Sequence, residues 1–308
     1  MKQQTLAILR EQWFLVMLLV AATIGYVFSS QLQWLSNYNT LFLAGVMFLL
    51  GLDKDMQAII QALKKTKALA FVLVFAFLVS PLLGLFLSKL FLFNYPDLHI
   101  GLIVMVSVGG TIGSSILWTR LAGGNDTLSL VLSVLVTMLS ALFAPMVLYV
   151  ILGSSLQFDV LGMLISLVEA TILPVIIAQL VKPFLKKQLP AIRKITSPTT
   201  QSIILLFMAS AMVKAAGALS FGMVAIMIPI VIAHHLAMIV LSYWSAGILG
   251  FSHKDRIALM FASSQNTFST SLYIIVKFFT ATAVIPPLVY HLCQQFLAVG
   301  VVKWVRRD

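Results

Sequence analysis

Two polar interruptions of otherwise apolar segments constrain this chain more than any other feature. Val108, Gly109, Gly110, Thr111, Ile112, Gly113, Ser114 and Ser115 break one hydrophobic stretch, and the run Phe261, Ala262, Ser263, Ser264, Gln265, Asn266, Thr267, Phe268, Ser269 breaks another about 150 residues later. Lipid cannot satisfy the N–H and C=O groups that a broken helix frees, so such breaks persist only where protein or a wet cavity surrounds them. Paired breaks at corresponding places in two halves mark secondary transporters built from inverted repeats, whose binding site lies where the broken helices meet.

The background that makes these breaks conspicuous is compositional. Of 308 residues, 61% are hydrophobic and 9% charged, whereas about half of an ordinary globular chain is apolar and about a quarter is charged. A polytopic, all-α membrane protein is implied. Apolar runs suited to crossing roughly 30 Å of hydrocarbon fall at 13–28, 41–52, 68–91, 100–117, 128–152, 160–180, 202–219, 223–249, 257–279 and 284–301. They predict ten spans, the second of them short and the fourth and ninth broken.

The net charge of +11 does not point to nucleic acid, because basic residues of a membrane protein gather in its cytoplasmic loops. With both termini cytoplasmic, 17 of the 20 Lys and Arg residues lie inside, and only Lys89, Lys214 and Lys277 fall outside. The loop 53–65 has apolar positions at helical spacing with lysines opposite, and reads as an amphipathic helix at the interface. The first span is longer than a signal-peptide core and lacks a small-residue cleavage site after it, so it is read as retained. Cys293, the one cysteine, excludes a disulfide framework and reads as a small core residue.

A repeat boundary near 153–159 divides the chain into repeats at 13–152 and 160–304 within a single transporter unit. Five spans per repeat place the halves in opposite orientation. The span after each break is dotted with polar residues and prolines: Ser129, Ser133, Thr137, Ser140 and Pro145 in the first half, Pro286, Pro287, His291, Gln294 and Gln295 in the second. Thr196, Ser197, Pro198, Thr199 and Thr200 read as a further polar break ahead of the seventh span.

Chemistry is confined to a few positions. Thr111, Ser114 and Ser115 supply hydroxyls where the first break frees backbone carbonyls, and hard cations favour such oxygen ligands. Ser129 and Ser133, four residues apart, share a helix face; it turns either to the fourth-span break or onto its own helix's carbonyls. Ser263, Ser264, Gln265 and Asn266 are four consecutive hydrogen-bonding side chains at lipid depth, costly unless they meet a cavity or partners. Glu169 is the one acid deep in a span, or near an interface. Of the adjacent pair His234 and His235, at most one is expected to line a cavity; His291 reads as a bundle histidine or a ligand group. No metal-ligand spacing, nucleotide loop or hydrolytic arrangement is present, so an enzyme is not expected and no cofactor is implied.

At these residues the chain resembles the bile acid:sodium symporter (BASS) family. Gly109, Gly110 and Thr111, followed by Leu121 to Asn125 and by Leu128, Ser129 and Pro145, look like that family's fourth and fifth spans; Gln265 and Asn266, followed by Pro286, Tyr290 and Gln294, look like its ninth and tenth. The resemblance implies ten helices in two inverted five-helix repeats, crossing broken fourth and ninth helices, a core domain moving against a panel domain, and sodium-coupled uptake of organic anions. It carries the sodium ligands onto Ser114 or Ser115, Ser129, Ser133, Ser264 and Gln265. An acidic ligand and a third-span Gln of the family correspond to Phe261 and Ala76 here, a departure that leans toward the divergent symporter-like branch.

The resulting expectation is a multi-pass cell-membrane symporter that moves a small organic anion with Na⁺ by alternating access. Thr111, Asn266, His291 and Gln294 are its expected substrate contacts. Alternatives at this level are a proton-linked or other cation-linked carrier using Glu169 or His291, and a non-transporting membrane regulator with the same fold.

Overall fold

The computed structural model describes residues 2–53, 65–110, 112–153 and 159–306. These are 86% helical, and no strand occurs among them. Twelve helices are described: α1 (Lys2–Val27), α2 (Gln33–Asp53), α3 (Thr66–Phe91), α4 (Pro96–Ser107), α5 (Ile112–Leu121), α6 (Asp126–Leu152), α7 (Val160–Leu185), α8 (Leu189–Ala215), α9 (Phe221–Ile248), α10 (His253–Ser264), α11 (Phe268–Phe278) and α12 (Thr282–Val305). By length and apolar composition seven of them can cross a membrane: α2, α3, α6, α7, α8, α9 and α12. Val16–Val27 within α1, together with α4 and α11, are shorter apolar helices. The chain is thus a multi-pass membrane protein. The fourth and ninth expected spans are each two half-helices, α4 with α5 and α10 with α11.

Local chemistry explains the boundaries. Asn125 caps α6 by accepting from the Leu128 N–H at 3.0 Å, and Ser252 caps α10 by accepting from the Asp255 N–H at 3.3 Å; each hydroxyl or amide oxygen takes up an N–H that the first turn leaves without a partner. Two π-turns, Phe75–Val79 in α3 and Val168–Ile172 in α7, stand just ahead of Pro81 and Pro174. A proline cannot donate to the preceding turn and crowds it, and a widened turn absorbs both effects. The second span, short by hydropathy, gains a leading 3-10 turn at Gln33–Tyr38.

The expected polar break at Thr196 to Thr200 does not occur, for α8 runs through it with Pro198 inside. Thr196 bonds its own helix, donating to the Ile192 carbonyl at 2.9 Å, as does Ser202 just beyond the stretch, donating to that of Pro198 at 3.0 Å, while Thr200 Oγ1 is buried with no partner among the described residues. Polar side chains that bond their own helix need no cavity. The expected amphipathic helix at 53–65 and the 153–159 boundary lie largely outside the described residues.

The chain divides into two units that are both discontinuous in sequence. The first, Met1–Met56 with Ile165–Leu219, packs α1 and α2 against α7 and α8. Gly25 lets α1 lie against the backbone of Ala209, where a Cβ would come within 2.2 Å of a carbonyl oxygen. Small residues at such crossings are how helices approach when lipid and protein are equally apolar. Polar contacts pin the same pairs: Gln179 donates to the Gly51 carbonyl at 2.6 Å, and Ser210 to the Asn39 side chain at 2.7 Å. The second unit, Gln57–Leu164 with Ser220–Asp308, holds α3 to α6 and α9 to α12. One of its cores joins Phe71, Phe75, Ala76, Leu128, Leu132, Val136, Met238 and Ala262. Both sequence breaks lie in this unit.

Candidate functional site

The two breaks meet. Gly109 and Asn266 form an isolated antiparallel bridge, in which the Gly110 N–H donates to the Gln265 carbonyl at 3.2 Å and the Thr267 N–H to the Val108 carbonyl at 3.1 Å. A scrap of sheet thus closes what two helices leave open. Gly110 makes it possible: its φ of +82° lies in the left-handed region, and a Cβ there would stand 2.8 Å from the Thr137 N.

The remaining backbone groups are capped by side chains. Ser140 donates to the Gly109 carbonyl at 2.9 Å, and Thr137 to that of Gly110 at 2.9 Å. Each hydroxyl also reaches the carbonyl four residues back on α6, so one hydrogen is shared between two acceptors. Thr267 donates to Gly110 as well. From α12, Gln294 clamps Asn266 on both sides, accepting from its N–H and donating to its carbonyl, both at 3.2 Å. The carbonyls that the break frees from the helix are thus met by hydroxyls and an amide, as the cost of an unmet carbonyl in a dry interior demands.

What the crossing still offers is side chains. Ser114 donates to Gln265 Oε1 at 3.3 Å. Ser115 and Ser129 lie 2.9 Å apart, and Thr119 donates to Ser129 at 3.1 Å, so the Ser129 face of α6 turns to α5 rather than onto its own helix. Ser133 Oγ, Ser263 Oγ, Ser264 Oγ, Gln265 Nε2 and His291 Nε2 are buried with no protein partner among the described residues. Ser114, Ser115, Ser129, Ser133, Ser264, Gln265, Asn266, His291 and Gln294 all belong to this one unit, and all are buried. Thr111 lies outside the described residues.

Helix dipoles add to the electrostatics. α5 and α11, of 10 and 11 residues, both begin at the crossing, so their positive N-terminal ends converge there. The described aspartates of this unit sit at helix ends: Asp97 accepts from Thr280, Asp126 from Arg120, Asp255 from Asn125 and Asp159 from the Gly162 N–H. No group of three or more His, Cys, Asp or Glu residues that could hold a metal occurs among the described residues. Glu169 is exposed on the first unit. Phe261 and Ala76 are wholly buried, and a Cβ on Gly109 would approach the Ala76 methyl to 2.7 Å.

Several contacts were not legible beforehand. Gln295, beside the clamp residue, accepts from Trp118 Nε1 of α5 at 2.8 Å, so adjacent glutamines of α12 reach both broken helices. His234 bridges the Ser80 carbonyl at 3.0 Å and the Tyr290 hydroxyl at 2.9 Å, while His235 stands edge-on to the same ring. Both histidines are fully buried. A signal for the first contact existed in the Gln294–Gln295 doublet, whose members must face different partners on one helix.

Comparison with known proteins gives the same direction. The model of the SBF-like CPA transporter family (DUF4137) matches residues 12–307. The chain is 27% identical over 178 residues to a Bacillus subtilis protein named "Uncharacterized sodium-dependent transporter YocS", a match covering 58% of this chain and 54%, about half, of that relative. It is 25% identical to the Arabidopsis thaliana "Probable sodium/metabolite cotransporter BASS5, chloroplastic", over 94% of this chain and 74% of the relative. To the Xenopus laevis "Sodium/bile acid cotransporter 7-A" it is 24% identical, over 97% of this chain and 92% of the relative.

Proposed function

The chain belongs to the SBF-like CPA transporter family, and from that premise we propose that it is a secondary transporter that carries a small organic anion across the membrane by alternating access, coupled to Na⁺. The crossing of the two breaks carries this reading. Two helix N-termini converge on a spot where buried N–H and O–H groups of Gln265, Ser263, Ser264 and His291 have no protein acceptor among the described residues, and both features favour negative charge. An unmet buried donor costs about 1–3 kcal/mol, which an anionic oxygen would relieve.

Sodium enters through neutral oxygens. Ser115, Ser129 and Ser133, with Ser114 and the Gln265 amide oxygen, would hold a single Na⁺; the unpartnered Ser133 Oγ is the observation that leaves room for it. With Phe261 and Ala76 apolar and buried, neither side chain supplies an oxygen to a second ion. The ten spans, their inverted five-helix repeats and the cytoplasmic termini belong to the same proposal. The two compact units support it, since each is assembled from stretches of both sequence halves.

The test is uptake of a panel of radiolabelled organic acids by the purified protein in liposomes, with NaCl exchanged for KCl. We expect accumulation of at least one acid, faster in NaCl, with a Hill slope for Na⁺ near one. Uptake indifferent to the exchange overturns sodium coupling, and a slope near two overturns the single site. Accumulation of none of the acids overturns the transport reading.

A further inference from the structure

The Gln294 clamp determines more than backbone geometry. The Asn266 N–H can only donate and the Asn266 carbonyl can only accept, and each lies 3.2 Å from one end of the Gln294 carboxamide. The end facing the N–H must therefore be Oε1, and the end facing the carbonyl must be Nε2. Nε2 carries two hydrogens, and its second contact is His291 Nδ1 at 3.2 Å. A ring nitrogen that receives a hydrogen has none of its own, so the neutral imidazole keeps its proton on Nε2. That Nε2 has no protein partner among the described residues, His291 is 7% exposed, and the ring is stacked on Phe268 with centroids 4.7 Å apart. The ring is held in plane on one side and in tautomer on the other.

We infer that Gln294 is a positioning residue that locks His291 as the Nε2–H tautomer, and that His291 Nε2–H is a hydrogen-bond donor to a carboxylate or sulfonate oxygen of the transported anion. The inference rests on the organic-anion reading for its ligand, while the tautomer stands on the geometry alone. It divides the labour of two residues: His291 touches the ligand, and Gln294, with both ends of its amide engaged, does not. The donor is permanent because the neighbour that sets it is itself fixed by a backbone peptide.

The full-length protein with ¹⁵N-labelled histidine, in lipid nanodiscs, provides the test, with the His291 signals assigned by their loss in His291→Gln. We expect the wild type to show a protonated Nε2 and a bare Nδ1. Gln294→Glu, whose carboxylate only accepts, should draw the proton to Nδ1, and Gln294→Met, which cannot donate, should leave a mixture. A wild type protonated at Nδ1, or a tautomer untouched by both replacements, overturns the lock. Titration with benzoate should move the wild-type Nε2–H resonance downfield, and no movement overturns the donor role. In the liposome assay His291→Phe should raise the KM of any acid taken up by roughly tenfold or more with kcat nearly kept, as for a lost hydrogen bond to a charged group. His291→Gln, which presents an amide N–H at about the same place, should hold KM within about threefold. An unchanged KM in His291→Phe overturns the donor role even if the tautomer is as inferred. Should the wild type take up no acid, the transport reading fails while the tautomer measurement still decides the lock.

Discussion

At the scale of single residues, Gly110 is the most exacting position. Its left-handed backbone would cost any other residue about 1–2 kcal/mol, and a methyl group there would press on Thr137. Gly110→Ala is therefore expected to lower the midpoint of thermal unfolding in detergent by several degrees and to abolish uptake. A wild-type melting curve would show that the crossing relaxes at no cost. Gly113, with nothing near its missing Cβ, is the control that should tolerate alanine. The serine and amide residues of the second break were legible because polar groups at lipid depth demand a reason. Whether they met ligand, lipid or protein was not, since that depends on what the fold brings back to face Gly110 from 157 residues downstream.

At the scale of elements, α6 and α12 act as braces for the broken helices. Sequence pattern located both, from their polar positions, but could not separate a hydroxyl bonded within its own helix from one that caps a neighbour. Thr137 and Ser140 do both at once, and a local pattern carries no trace of the distant carbonyl. The reverse error occurred in α8, where Thr196 and Ser202 bond only at home. The braces differ in redundancy. Gly110 keeps a second cap from Thr267 if Thr137 is lost, whereas among the described residues the other hydroxyl near the Gly109 carbonyl is that of Thr267 at 3.5 Å. Ser140→Ala should then destabilise the protein by about 1–3 kcal/mol, the cost of a buried carbonyl left unmet, and Thr137→Val by less. Equal losses on chemical or thermal denaturation would contradict this ordering.

At the scale of the whole molecule, hydropathy located apolar helices, seven of them long enough to cross a membrane among the described residues, whereas units that join stretches far apart in sequence leave no trace in local hydropathy. Orientation is the part that charge decides. α7 rises about 39 Å over its 26 residues at 1.5 Å each, more than the hydrocarbon thickness of roughly 30 Å, so its ends should lie on opposite sides. In a variant with Cys293 replaced, single cysteines placed at Asp159 and Lys186 should react with an impermeant maleimide from opposite faces of the membrane, Lys186→Cys from the cytoplasmic one. Labelling of both from the same face would refute the span.

The crossing also imposes an order on biogenesis. As the chain enters the membrane, the carbonyls of Gly109 and Gly110 find their caps soon, 31 and 27 residues downstream in α6. The Gly110 N–H and the Val108 carbonyl must wait for Gln265 and Thr267, by which time nearly the whole chain has been synthesised. Until then the first half carries an open peptide edge that lipid cannot solvate, so the insertion machinery or a chaperone must shelter it. A chain ended after Leu152 should accordingly be cleared rapidly by membrane proteases in pulse-chase labelling, and co-expression of the missing half should prolong its lifetime.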